Sequence, residues 1–314
     1  MPYRLDTRES VENGLRRCAR EQLDSAIEEL TEGVRTDPVE AVHTARKALK
    51  KERSLLRLYR GALQPAERRT ENDALRDTGR RLSAARDAEV MIQALDDLSE
   101  RFAGQVPERS FTAIREQLTA ERDPARASLL DSGLPGEAAD ELKSVRGRID
   151  EWHSRSGGWR AIESGLDRSY RRGRRALARA HAEPTVENLH EWRKRTKDLW
   201  YHLRLLTPTS RGIMGGQAKD AHRLGDVLGD DHDLAVLRDR LEEIGGSITA
   251  DLDSVFGLID HRRAQLQQEA FLLGQRLYAE KPNAFSGRVH RYWKAWRREA
   301  RAAGAPRPTA PSLG

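Results

Sequence analysis

The sequence has 314 residues, of which 34% are charged and 5% are aromatic, and its 56 basic and 50 acidic residues give a net charge of +6. The length allows one large domain or two smaller ones. A single cysteine, Cys18, excludes an internal disulfide and a cysteine-rich zinc site. No apolar run approaches the roughly 20 residues that span a bilayer, and no apolar signal core follows Met1. We therefore expect a cytoplasmic protein without a membrane partner.

Apolar residues recur every three or four positions along almost the whole chain. Together with the scarcity of aromatic residues, this pattern predicts an all-α fold with roughly eight to ten helices. One helix is expected to begin at Asp37-Pro38 and to end at Gln64-Pro65. Further helix breaks are predicted at Asp123-Pro124, Gly133-Leu-Pro-Gly136, Gly157-Gly158, Glu183-Pro184, Thr207-Pro208, Gly215-Gly216 and Gly245-Gly246. The tail, residues 302–314, is rich in small residues and proline and is expected to be disordered.

Several segments occur twice in the same order. Glu40–Lys50 and Glu187–Lys197 share the frame E-x-[VL]-H-x-x-R-K-x-x-K, and their histidines are 147 residues apart. Arg57 and Arg204 extend this frame at the same offset. Leu82–Val90 and Leu228–Val236 form a second, weaker pair that carries Asp87 and Asp233, and a basic stretch precedes each histidine segment. This order predicts two related halves, each a bundle of about four helices.

The repeated helix has a cationic side and an apolar side. Because an α-helix turns about 100° per residue, one face of the first copy carries His43, Arg46, Lys47, Lys50 and Arg57. The same face of the second copy carries His190, Arg193, Lys194, Lys197, Tyr201 and Arg204. Stacked cations repel each other, and few acidic residues interrupt the stripe. An anion would neutralise it, and both histidines are expected in the first turn, where the helix dipole favours anions.

Plainer interpretations stay open at this point. The stripes could be solvated basic faces, and each histidine could be a capped or core-satisfied ring. Asp87 and Asp233 are expected to orient cations of a neighbouring helix. Asp230-Asp231-His232-Asp233 resembles a metal site, but its counterpart Ala84-Ala85-Arg86-Asp87 lacks a second ligand, so no metal site is predicted. The six tryptophans are expected in the core or between helices rather than as platforms for bases.

The paired H-x-x-R-[KR]-x-x-K helices, each followed by an L-x-x-x-x-D-x-x-V segment, resemble the CHAD family, named for its conserved histidine α-helical domain. The resemblance covers residues 5–300. It implies a single all-helical domain of two four-helix bundles, residues 5–155 and 156–300, related by a pseudo-twofold axis. It also implies a basic groove between the bundles that binds inorganic polyphosphate, and association with polyphosphate granules. We further expect no cofactor and no catalysis. Some members carry a fused triphosphatase domain with an E-x-E-x-K motif; none is found here, so a stand-alone CHAD protein is expected.

The resemblance also implies which residues contact the polyanion. On the two repeated helices these are His43, Arg46, Lys47, Lys50, Arg57, His190, Arg193, Lys194, Lys197 and Arg204. The preceding helices would add Arg16, Arg17, Arg20, Arg171, Arg172, Arg175 and Arg179. Lys47 and Lys50 depart from the family, where arginines are common at these positions, and Ala85-Arg86-Asp87 lacks the glycine of Leu228-Gly229. Protonation of the histidines would tighten binding near pH 6.

Two rival functions remain at the level of sequence. Basic helices and a pI of about 9.6 also suit nucleic acid, for which weak binding is expected, although no helix-turn-helix or RNP-like pattern is found. The two Glu-x-x-His pairs match di-iron bundles, but the cations beside them oppose a metal. A metal-dependent polyphosphate or phosphate hydrolase would need a carboxylate cluster that the repeat does not supply. Oligomeric state, chain-length preference and affinity cannot be predicted.

Overall fold

We describe the protein from a computed structural model. The structure describes residues 3–245 and 251–304, without the side chains of residues 84–88, 125, 129–131, 303 and 304. These residues confirm the all-α fold, since the only strand-like feature among them is an isolated β-bridge between Leu63 and Ser154. The helices in chain order are α1 (Val11–Glu28), α2 (Val34–Thr36), α3 (Pro38–Leu58), α4 (Pro65–Arg81), α5 (Ala84–Arg101), α6 (Glu108–Asp131), α7 (Leu134–Arg148), α8 (Arg160–Ala182), α9 (Val186–Leu206), α10 (Arg211–Ile244), α11 (Leu252–Leu277) and α12 (Pro282–Gly304).

Side-chain caps fix where the two repeated helices begin. The Asp37 carboxylate accepts from the backbone N–H groups of Val39 and Glu40, both at 3.1 Å, and Pro38 occupies the first position of α3. At the start of α9, Thr185 Oγ1 accepts from the N–H of Asn188 at 3.2 Å. Such caps satisfy backbone donors that have no partner inside the helix. The predicted helix start at Asp37-Pro38 is therefore confirmed.

Two predicted helix breaks are wrong. Helix α6 continues through Pro124, and α10 continues through Gly215 and Gly216. Proline removes one backbone hydrogen bond, but it lies on a solvent-facing stretch of α6 where the freed carbonyl can bind water. The weak helix propensity of the two glycines is overcome because α10 packs along both α9 and α11. The described residues contain eleven helices of at least 15 residues, so the predicted number was slightly too low.

Helices α3 and α9 lie at the centre of the molecule. Helix α3 packs against α1, α4, α8 and α9, and α9 packs against α3, α8 and α10. Helix α5 packs against α6 and α10, while α12 covers α8. The two stripes of the repeat are therefore on helices that touch each other. The division into two bundles, 5–155 and 156–300, related by a pseudo-twofold axis stays a prediction.

The expected packing role of the tryptophans is confirmed. Trp152 and Trp192 are fully buried, and Trp159 and Trp293 are each 7% exposed. Trp200 and Trp296 are partly buried against the core. The tail predicted to be disordered begins at residue 302, but residues 302–304 belong to α12. Residues 305–314 of that tail lie outside the described residues.

Glycine at position 165 allows α8 to cross the end of α3 in backbone contact. A Cβ atom there would lie 2.7 Å from the Arg57 carbonyl oxygen and closer still to that of Leu58. Gly165→Ala is expected to destabilise the fold by about 2 kcal/mol, because the added carbon meets rigid backbone. Gly257→Ala is the matched control, since Gly257 is exposed within α11 and its Cβ would meet nothing within 4 Å. The control should gain about 0.5–1 kcal/mol. Urea unfolding measures both, and equal effects would contradict the contact.

Candidate functional site: a cationic groove between two helices

A buried polar contact locks α3 against α9. Ser54 Oγ donates to the Asp198 carbonyl oxygen at 3.2 Å, and His202 Nε2 lies 2.9 Å from the Ser54 carbonyl oxygen. Burial lowers the pKa of His202 to about 4. The ring is therefore neutral at pH 7, and Nε2 carries the proton that it donates to Ser54. The small Ser54 side chain lets the helices approach, and the hydrogen bonds fix the two stripes relative to each other.

Cations of both helices meet beside this crossing. Burial first, then the charges of Arg204 and Lys47, lower the pKa of Lys51. The Arg204 guanidinium lies 5.2 Å from the ring centre of Trp200 and 5.9 Å from that of Tyr3. Lys51 was missed by the sequence analysis, because it falls roughly 80° around the helix from His43, outside the predicted stripe. Lys51 follows Lys47 by four residues, so the two lie next to each other on the helix surface, and this spacing could have predicted its place.

Two glycines of α10 make room for the stripe of α9. A Cβ on Gly225 would lie 2.9 Å from Lys197 Cδ, and a Cβ on Gly229 would lie 3.0 Å from Arg193 Nη2. Glycines at these two positions, one helical turn apart, let the long cationic side chains lie along α10. We call the surface that carries Lys47, Lys51, Arg193, Lys197 and Arg204 the cationic groove, after the groove that the sequence predicts; its shape stays a prediction. Helix α10 packs beside α9 next to Arg193 and Lys197.

His190 stands at the start of this stripe but is uncharged at neutral pH. Its ring centre lies 4.1 Å from that of His232. Burial, followed by His232 and the nearby Lys194 and Arg193, lowers the pKa of His190 to about 4. The ring is thus neutral at pH 6. The prediction that the histidines gain a proton near pH 6 is therefore wrong for His190 in the free protein. His43 and His190 also lie in the second turn of their helices rather than the first.

A bound polyanion is expected to raise the pKa of His190 by at least one unit, because negative charge stabilises the imidazolium. By linkage, the affinity for the polyanion then increases as the pH falls below the pKa that His190 has in the complex. Between pH 8 and 6 the titration of His190 changes the affinity little. Nitrogen-15 NMR titration of the ring, with and without tripolyphosphate, measures the shift. His153, which is largely exposed, serves as the internal reference. An unchanged His190 titration would contradict its place at the site.

The first part of the α3 stripe faces acidic surroundings. His43 lines a cavity of about 640 Å³ between α3, α5, α10 and α11, and Asp230 and Asp233 line it too. Burial, followed by the charges of Asp233 and Asp226, raises the pKa of Asp230 to about 6. Arg46, one turn after His43, donates from Nη1 to the Ser83 carbonyl oxygen at 3.4 Å. The predicted basic surface is therefore interrupted by carboxylates around His43.

Several predicted cations already have acidic partners, contrary to the expectation that few carboxylates interrupt the stripes. The ion pairs are Lys47–Glu40 at 3.6 Å, Arg57–Asp198 at 3.1 Å, Lys194–Glu191 at 3.2 Å and Lys197–Asp226 at 2.8 Å. Asp198 and Asp226 come from other helices than their cations, which a helical wheel cannot show. The pairs of Lys47 and Lys194 are about half-exposed, so each contributes little to stability and can be exchanged for a phosphate. In the third pair Lys197 is mostly buried and the Asp226 carboxylate is the exposed partner.

Most arginines predicted on the preceding helices hold other parts of the protein. Arg17 pairs with Glu9 at 2.6 Å and with Glu21 at 3.1 Å, and Arg172 pairs with Glu191 at 3.4 Å. The remaining partners are the Trp152 carbonyl oxygen for Arg16, Asp150 for Arg20 and Asp167 for Arg171. Arg175 and Arg179 are exposed on α8. In α1, these contacts fasten the helix to the N-terminal segment and to the end of α7. The side chain of Asp87 lies outside the described residues.

Metal-like residues of α10 point in different directions. Asp231 is buried and accepts from Arg263 at 3.2 Å and from Gln267 at 2.8 Å. His232 packs on His190, while Asp230 and Asp233 line the cavity beside His43. In the part of the chain that the structure describes, no group of three or more His, Cys, Asp or Glu side chains is placed to hold a metal ion. No described helix is long and apolar enough to cross a membrane.

Comparison with known proteins places the chain in a family. The CHAD domain model matches residues 17–242, so the protein belongs to the CHAD domain family. Two uncharacterized proteins of Mycobacterium tuberculosis, MT2285 of strain CDC 1551 / Oshkosh and Rv2226 of strain H37Rv, are each 31% identical over 257 residues. The match covers 75% of this chain and 47% of each relative. The chain thus spans about half the length of the curated relatives it matches.

Two solved structures share the fold. PptA from Streptomyces chartreusis superposes with a TM-score of 0.61 at 14% sequence identity, covering 87% of this chain and 100% of that one. The CHAD domain from the plant Ricinus communis superposes with a TM-score of 0.52 at 17% identity, covering 91% of this chain and 94% of that one. At these identities the likeness extends to the fold alone, and it agrees with the all-α architecture of the family.

Proposed function

We propose that the protein binds inorganic polyphosphate in the cationic groove without chemically altering it. The observation that carries this proposal is that Tyr3 joins the two helices: its hydroxyl donates to the Lys51 carbonyl oxygen of α3 at 3.1 Å, and its ring centre lies 5.9 Å from the Arg204 guanidinium of α9. The cations thus lie beside the buried crossing of α3 and α9. Cations held close together from two helices repel each other, and a linear polyanion lying between them removes that repulsion. Membership of the CHAD family, which is associated with polyphosphate, supports this choice of polyanion.

The groove has chemistry suited to a chain of phosphates. Polyphosphate carries about one negative charge per phosphate; Arg193 and Arg204 can each offer paired N–H donors to phosphate oxygens, and the lysines offer compact charges. The exposed carboxylates of Glu40 and Asp226 would release Lys47 and Lys197 to the polymer. In this proposal the other cations of the two stripes are flanking contacts, and the α1 and α8 arginines are outer contacts. Association with polyphosphate granules follows if the polymer in the granule is accessible.

Competition distinguishes polyphosphate from nucleic acid. At physiological salt, long-chain polyphosphate is expected to displace a labelled short polyphosphate at lower phosphate concentration than RNA or duplex DNA does. In a parallel assay with Mg²⁺ or Mn²⁺, the protein is expected to release no orthophosphate from the polymer above the rate in buffer. If RNA or DNA displaces the labelled polyphosphate at lower phosphate concentration, the cationic groove binds nucleic acid rather than polyphosphate. If orthophosphate is released only when the protein is present, the protein is a catalyst and the non-catalytic assignment is wrong.

A further inference from the structure

Six arginines lie near the point where α8 crosses the end of α3. They come from α3, the 3₁₀ turn Tyr59–Gly61, α4, α8 and α9. We call them the arginine pocket: Arg57, Arg60, Arg68, Arg168, Arg172 and Arg195. All but Arg68 line a cavity of about 20 Å³, together with Ser169 and Asp198. Arg68 is close enough for the charges of Arg168 and Arg57 to help lower its pKa, although burial and Arg69 contribute more.

Glycines hold these arginines together. Gly165 lets α8 touch the carbonyl groups of Arg57 and Leu58, and a Cβ on Gly61 would clash with Ser164 Oγ. Arg168 lies one helical turn after Gly165, so the same crossing brings it beside Arg60. Since backbone contact fixes the crossing, the backbone positions of Arg60 and Arg168 cannot separate without moving α8. The fold therefore keeps the like charges in one neighbourhood.

The positive charge of the pocket is only partly compensated. Arg195 pairs with Glu191 at 2.9 Å and with Asp198 at 3.0 Å. Glu191 also pairs with Arg172, and Asp198 also pairs with Arg57. Within the described part of the chain, Arg60, Arg68 and Arg168 form no ion pair. Six guanidinium groups thus share two ion-paired carboxylates, and the charge of Asp73 acts on Arg68. Burial, followed by the neighbouring arginines Arg168, Arg68 and Arg172, lowers the pKa of Arg60.

We propose that the arginine pocket binds a single phosphoryl dianion, as free orthophosphate or as the terminal group of a phosphate chain. A cavity of about 20 Å³ admits one group the size of a water molecule, so one phosphoryl oxygen enters and the others meet guanidinium groups at the rim. A terminal phosphoryl group carries nearly two charges at neutral pH, whereas an internal one carries one. The surplus of arginines therefore favours a chain end or free phosphate over the middle of a polymer. Only the chain-end form of this inference rests on the proposed function.

Isothermal titration with orthophosphate tests the pocket directly. The wild-type protein is expected to bind one orthophosphate saturably, and Arg60→Gln/Arg168→Gln to weaken this binding at least tenfold. Arg60 and Arg168 lie on the rim, so the fold should persist, which circular dichroism and thermal unfolding check. Arg60→Lys/Arg168→Lys keeps the charge but loses paired donors and should show a smaller loss. The exposed pair Arg291→Gln/Lys294→Gln on α12 is the charge-matched control and should stay within twofold of wild type.

A second titration separates chain ends from chain interiors. Polyphosphate with free ends should lose affinity in the Arg60→Gln/Arg168→Gln variant, whereas end-capped polyphosphate of equal length should not. No saturable orthophosphate binding by wild type, or an equal loss in the control, would overturn the inference. If end-capped polyphosphate binds while orthophosphate does not, the proposal for the arginine pocket is wrong and the proposal for the cationic groove is retained. If orthophosphate binds through Arg60 and Arg168 but end-capped polyphosphate does not bind, the proposal for the cationic groove is wrong and the proposal for the arginine pocket is retained.

Discussion

Replacing Lys47, Lys51, Arg193 and Arg204 together by glutamine is expected to weaken the binding of long-chain polyphosphate about 1000-fold. Each lost charge-assisted contact at a partly exposed site contributes roughly 1 kcal/mol, and four contacts give roughly 4 kcal/mol. Helical circular dichroism should be unchanged, because these side chains lie outside the core and Lys51 is a half-buried charge whose removal lowers a desolvation cost. Fluorescence anisotropy with an end-labelled polyphosphate measures the loss.

The control must remove the same charge without touching the groove. Arg109, Lys143, Arg211 and Arg291 are exposed and lie on four helices, α6, α7, α10 and α12. Their joint replacement by glutamine lowers the net charge by the same amount, so any effect of total charge appears in both variants. We expect less than a threefold loss for the control. Similar losses in the two variants would show that binding follows the charge of the whole protein rather than the groove.

A second large effect is expected in the core, at Glu52 of α3. Glu52 is fully buried, and both of its carboxyl oxygens lack a hydrogen-bond partner among the described residues. Burial first, and then the charge of Glu71, raise the pKa of Glu52 from 4.5 to about 8. Glu71 is itself held by Arg148, at 2.7 Å. The folded protein therefore holds a proton on Glu52 that the unfolded chain releases near pH 4.5.

The sign of the pH dependence follows from this raised pKa. The contribution of Glu52 to stability is fully present below pH 4.5 and is lost as the pH rises to about 8. Over that window the free energy of unfolding should fall by several kcal/mol, on the order of 4, through this group alone. Glu52→Gln removes the titrating proton and should be more stable than wild type at pH 8.5 by a few kcal/mol, with little difference at pH 5.

Urea unfolding at a series of pH values measures both curves. The exposed Glu116→Gln on α6 is the control for removing a negative charge, and its curve should run parallel to that of wild type. If wild type and Glu52→Gln keep a constant difference from pH 5 to pH 8.5, Glu52 does not titrate in this window and its environment is more polar than the structure indicates.

Local patterns in the sequence predicted the helices because apolar periodicity and caps are local properties. The stripes on α3 and α9 and the cap at Asp37 follow directly from residue spacing. The helix breaks at Pro124 and Gly215-Gly216 failed because solvent exposure in α6 and packing of α10 outweigh weak local propensity. No local pattern shows which long helices have enough tertiary support to continue through a proline or two glycines.

The candidate site was only partly predictable because its geometry depends on contacts between distant segments. The crossing of α3 and α9 is set by Ser54, Asp198 and His202, which share no motif. That crossing brings Lys51 beside Arg204, and it separates both from His43, which instead lines a cavity rich in carboxylates. Counter-ions such as Asp226 come from other helices. A helical wheel places residues on a face, but it cannot show what lies opposite that face.

Titration of the wild-type protein with polyphosphates of defined length, at about 50 mM and 200 mM salt, tests the central claim most directly. A groove engaging roughly four phosphates predicts saturable binding that strengthens with chain length until the groove is filled. Log affinity should then fall with log salt at a slope of roughly −3, since each neutralised phosphate of a single strand contributes about −0.7. Binding without saturation, or an affinity that is the same at both salt concentrations, would contradict polyphosphate recognition by the cationic groove.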